Sequence, residues 1–225
     1  LTFDEYQKLA IRTVNTKLTF QERLDMLALG LSGESGEASD CVKKGRYHGH
    51  PLDETKLTKE VGDVCWYTSG VAETLGFSLS TAVKWTVYGY KERGGDWVHP
   101  FDPNDVTAFQ KGVEEHQMVP PEERGDRPGQ LSEVTHQLCS ACNNLAETVC
   151  SCAQDLALRR STTLTEETLW DIQESITRVL TVCAHFAVVL GHPLESILIE
   201  NVEKLRARYG EAFSAERSLN RPKET

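Results

Sequence analysis

The sequence predicts an all-α fold, a helical bundle built from two related units, on three observations. Apolar residues recur at alternating three- and four-residue steps through nearly every long segment. Capping residues, Gly and Pro stand where such segments begin and end. No stretch reads as a run of strands.

The first helix is expected over 3–15, with Thr2 as its cap and Glu5 three residues on. A second runs from about 19 to 44, carrying Leu24, Ala28, Leu31, Ser35, Ala38 and Val42 on one face, and Gly45 with the GRYHGHP stretch ends it. The third, about 53 to 75, places Leu57, Val61, Val64, Thr68, Val71 and Leu75 on a similar stripe and stops at Gly76. A fourth starts near Ser78 and continues to about Arg93. The stretch from Gly94 to Gln130 holds five of the eight prolines and reads as a linker with little packed core, interrupted by one short helix over about 106–115. Helical patterning resumes over about 131–158, 165–190 and 193–209.

The octapeptides AETLGFSL (72–79) and AVVLGHPL (187–194) align without a gap, each between two helices. LSGESGEASDC has a weaker counterpart in SACNNLAETVC. These matches divide the chain into a unit over 1–95, a linker over 96–130 and a second unit over 131–225, an internal pseudo-dimer.

Bulk properties narrow the function. At 225 residues the chain can bury a substantial core. A net charge of -10 argues against a nucleic-acid polymer or an anionic membrane as partner. The longest apolar run, 179–190, is interrupted by His185 and reads as a buried helix. The first residues lack the basic and apolar regions of a signal peptide, and seven cysteines fit a reducing cytoplasm. Cys139 and Cys142 form a CxxC without a second ligand pair, and Cys139, Cys142 and Cys150 share a helical face, so a core role is expected over zinc.

Two acidic pairs carry the chemistry. Glu34 and Glu37 are one turn apart on the second helix, and Glu60 and Asp63 are one turn apart on the third. Each pair borders its apolar stripe, so packing of the stripes would bring four carboxylates together. Gly33 and Gly36 beside the first pair lower helix propensity, which suggests close approach by ligand or backbone. Two carboxylates ~5 Å apart repel by about 3 kcal/mol at an effective dielectric near 20. Such a cluster must bind protons or cations, and an oxygen-only donor set favours magnesium or manganese. Solvated surface acids are the commoner outcome for an ExxE taken alone.

The segment GLSGESGEASDCVKKGRYHGH followed by KEVGDVCWY resembles the ExxE…ExxD signature of the MazG-like all-α nucleoside triphosphate pyrophosphohydrolases, a superfamily that includes the all-helical dUTPases. NVEKLRARYGEAFSAERSLNR resembles a C-terminal stretch common in phage and bacterial members. The resemblance implies that Glu34, Glu37, Glu60 and Asp63 bind magnesium (or manganese), which holds a nucleoside triphosphate while water releases pyrophosphate and the monophosphate. Glu34 or Glu37 is the expected general base.

The chain departs from that pattern in a complementary way. The resemblance assigns substrate contacts to an Asn and a Lys after the Gly of each unit, where the first half has Thr86 and Gly89 and the second has Asn201 and Lys204, with Arg208 one turn on. Conversely Asn144, Ser175 and Arg178 replace Glu34, Glu60 and Asp63 in the second half, and only Glu147 survives, opposite Glu37. One composite site is therefore expected, with metal ligands from the first half and phosphate contacts from the second; the alternative is that Asn201 and Lys204 are relics. Lys44, Trp66, Tyr67 and Asn15 are further candidates for phosphate or base contacts. Glu133 and His136 form a lone ExxH, half of what a di-iron bundle needs. The competing functions are a nucleotide-binding or regulatory module without turnover and a purely structural bundle. Pairing of two such chains stays open.

Overall fold

The computed structural model describes residues 1–84, 102–115, 126–159, 164–210, 213, 214 and 216. Its helices in chain order are α1 (Phe3–Ala10), α2 (Phe20–Tyr47), α3 (Glu54–Leu75), α4 (described over 79–84), α5 (Val106–Glu115), α6 (Arg127–Arg159), α7 (Glu166–Leu190) and α8 (Leu194–Tyr209). The all-α reading holds. Thr86 and Gly89, with the rest of the expected fourth helix, lie outside the described residues.

Local chemistry accounts for several of the helix ends. Thr2 with Glu5 and Thr19 with Glu22 form capping boxes at the starts of α1 and α2. Asp53 and Thr165 cap α3 and α7 through their side chains. Gly76 and Gly191 close α3 and α7 with φ of 82° and 76°, and the next residues, Phe77 and His192, bond back to Ala72 and Ala187. The aligned octapeptides thus make the same left-handed stop, where a side chain would be strained.

Three expectations need correction. The first helix does not run to 15: it passes into a 3₁₀ turn over Ile11–Thr13, and Val14 is extended. Gly45 does not end α2, which continues to Tyr47; Gly45 instead stands where an added Cβ would lie 3.0 Å from the Leu52 side chain. The 106–115 stretch is a helix, but it is not poorly packed: Val106 and Phe109 are buried, and Phe109 sits edge-on to Phe3.

Helices α2, α3, α7 and α6 pack in a ring, each against the next, as a four-helix bundle. Helices α1, α5 and α8 cover the α3–α7 side, and α8 lies against α3 as well as α7. One continuous core joins both halves of the chain. Several buried hydroxyls in it are satisfied within their own helices, as Thr68 donates to the Val64 carbonyl at 2.8 Å and Thr177 to Gln173 at 3.0 Å. Helix α7 is long and apolar enough to cross a membrane by length and composition, and here most of its apolar residues lie in the core.

Candidate metal centre

Helices α2 and α3 approach closely where small residues allow it. A side chain at Gly70 would strike Leu27 at 2.5 Å, and one at Gly30 would overlap the Tyr67 ring at 2.0 Å. With Leu31, Ser35 and Ala38 of α2 and Leu57, Val61 and Val64 of α3 turned into the core, Glu34 and the pair Glu60 and Asp63 come to the seam. One carboxylate oxygen from each of Glu34, Glu60 and Asp63 lies within 4.8 Å of the others. It is the one such group among the described residues.

Glu37 does not join it as expected. Its side chain is 59% exposed and faces Lys56, whose ammonium lies 3.4 Å from Glu37 and 3.8 Å from Glu60. Lys56 stands one turn before Glu60 on α3 and draws Glu37 to the rim.

The second half of the chain enters through α8. Asn201 Nδ2 donates to Asp63 Oδ1 at 2.7 Å, and Lys204 Nζ reaches Asp63 Oδ1 and Oδ2 at 2.6 and 2.5 Å. Asn201 is 3% exposed and packs on the face of Gly62, where a Cβ would lie 3.0 Å from the Asn201 Cβ. Tyr6 of α1 completes the junction with its hydroxyl 3.1 Å from Asn201 Oδ1 and 3.4 Å from the Gly62 carbonyl.

Electrostatics of the cluster show excess negative charge. Burial, then the charge of Asp63, the hydrogen bond shared with Glu60 and the charges of Glu60 and Glu37 push Glu34 up to about 8. Glu60 is also raised: burial and the charges of Glu37 and Asp63 outweigh the bond to Glu34, which lowers it. A proton shared between Glu34 and Glu60 relieves the repulsion. A hard divalent cation with oxygen ligands would do the same, so the donor set fits magnesium or manganese.

No protein-family model, curated protein or solved structure matches this chain.

The remaining candidates are dispersed. Lys44 pairs with Asp40 at 2.6 Å on the exposed face of α2, as does Lys43. Trp66 Nε1 donates to the Ala10 carbonyl and to Thr13 Oγ1, both at 2.9 Å, and Tyr67 stands edge-on to Trp66 over Gly30. Both aromatics therefore have packing roles. The Asn15 side chain accepts from the Lys17 amide at 3.1 Å, a local turn. Arg208 follows Lys204 one turn on and is half-buried. Glu133 and His136 are exposed. Among the described residues, no atom beyond the surrounding turns of α2 lies within 4 Å of a Cβ placed at Gly33 or Gly36, so close approach by another described segment does not explain them.

On α6 and α7 the counterparts form no acidic cluster among the described residues. Ser175 donates to Asn144 Oδ1 at 3.1 Å, while Arg178 and Glu147 are exposed. Sequence reasoning missed Tyr6, Lys56 and Gly62. Gly62 had a legible signal, since a helix-interior Gly costs about 1 kcal/mol and asks for a reason.

Proposed function

We propose that this chain is a metal-dependent nucleoside triphosphate pyrophosphohydrolase with one composite site, releasing pyrophosphate and a nucleoside monophosphate. The observation that carries this is the meeting of Glu34, Glu60 and Asp63 from the first half with Asn201 and Lys204 from the second. The resemblance of the two acidic segments to the MazG-like signature supports it. So does the left-handed Gly stop common to α3 and α7, which fits a duplicated unit whose second copy has lost its acids.

Glu34, Glu60 and Asp63 would hold the ion. A divalent cation bound there would supply charge neutralisation for the polyphosphate, acidity for an attacking water and stabilisation for the leaving pyrophosphate. Lys204, whose ammonium rests on Asp63, is placed to turn onto a phosphate oxygen, and Lys56 offers a second positive charge at the rim. Glu37, exposed and outside the triad, is the carboxylate best placed to accept the proton of the attacking water. All seven cysteines are free thiols, in keeping with the reducing cytoplasm proposed for this enzyme.

The test is a panel of canonical and modified nucleoside triphosphates with magnesium or manganese, with products identified by phosphorus NMR. Pyrophosphate with monophosphate, abolished by Glu60→Gln, is expected. Binding without release would reassign the chain as a nucleotide-binding or regulatory module. Orthophosphate as the first product would reject cleavage between the α and β phosphates.

A further inference from the structure

Tyr6 lies outside the acidic cluster and is fully buried. Its hydroxyl has one proton, and the nearer acceptor is Asn201 Oδ1 at 3.1 Å, with the Gly62 carbonyl at 3.4 Å. A carboxamide has an acceptor end and a donor end. Tyr6 occupies the acceptor end of Asn201, which leaves the NH₂ end facing Asp63 Oδ1 at 2.7 Å. Reversed, the amide would set its oxygen against the carboxylate with no proton between them. Gly62 gives Asn201 the room to sit there. Asp63 Oδ1 is then taken by two donors, Asn201 and Lys204, whereas Oδ2 receives Lys204 alone.

We infer that Tyr6 is a positioning residue which, through Asn201, orients Asp63 so that Oδ2 is the oxygen offered to a divalent cation. The inference rests on the metal-dependent reading above. Partners that orient metal ligands commonly change affinity by ten- to a hundredfold when removed, and Tyr6 acts one bond further out.

The test uses the full chain and Tyr6→Phe, which keeps the ring that fills the core. In metal-free protein the Asn201 side-chain amide protons, identified by their loss in Asn201→Ala, should exchange slowly, and at least about tenfold faster in Tyr6→Phe. Calorimetry with Mn²⁺ should give a Kd about three- to tenfold weaker for Tyr6→Phe. Asn201→Ala breaks the same chain from the other end and should weaken Mn²⁺ at least as much. The double variant should bind no more weakly than Asn201→Ala alone. An unchanged Kd with a lowered Tm, or additive losses in the double variant, would overturn the inference. Absence of Mn²⁺ binding in the wild type would overturn the metal-dependent reading instead, and Asn201 exchange would still decide whether Tyr6 holds the amide.

Discussion

Glu34→Gln should make the metal-free protein more stable at alkaline pH while removing its response to manganese. Below about pH 4.5 Glu34 is protonated in both folded and unfolded chains. As pH rises the unfolded chain releases this proton, while the folded chain keeps it until about pH 8. Stability therefore falls with rising pH across that window and levels off above it. At 1.36 kcal/mol per pH unit the full loss from this group is about 5 kcal/mol, and partial exposure with solvent screening brings it to about 2–3 kcal/mol. Gln cannot ionise and removes the slope. Urea unfolding with a chelator at about pH 5, 6.5 and 8 should show the variant gaining about 2 kcal/mol on wild type between the ends of the series. Manganese at a hundred times its Kd should then stabilise wild type by about 2.7 kcal/mol at pH 8 and the variant hardly at all. Parallel pH profiles for the two proteins would refute the account of Glu34 as a strained carboxyl.

Three further outcomes follow from the same geometry. Manganese must displace the proton held by Glu34 and Glu60, so its Kd, measured by calorimetry, should tighten by about tenfold per pH unit and level off near pH 8. Lys204→Met frees Asp63 but removes the ammonium aimed at phosphate. Steady-state kinetics should show kcat/KM lower by about a hundredfold, with manganese binding retained or tightened. Gly30→Ala would drive a methyl into the Tyr67 ring; urea denaturation should show a loss of about 1–3 kcal/mol.

The helices were legible because each is written locally. Thr2 with Glu5 and the left-handed glycines 76 and 191 act within a few residues of where they stand, so their effects can be read from spacing. Gly45 misled because its reason lies in Leu52, beyond the helix it was expected to end. Linker composition misled in a similar way over 106–115. Its prolines flank an amphipathic helix whose Phe109 finds Phe3 far off in sequence.

The candidate site divides along the same line. The sequence alone determined which acids share a helical face, because a three-residue spacing places Glu34 with Glu37 and Glu60 with Asp63 whatever the helices pack against. Only tertiary structure decided that Glu37 goes to Lys56 instead of the cluster. Only it decided that α8 crosses to α3, setting Asn201 and Lys204 on Asp63 with Tyr6 behind them. Those partners are separated by up to 195 positions in the chain. Their meeting depends on how whole helices bury their faces, which no local pattern encodes.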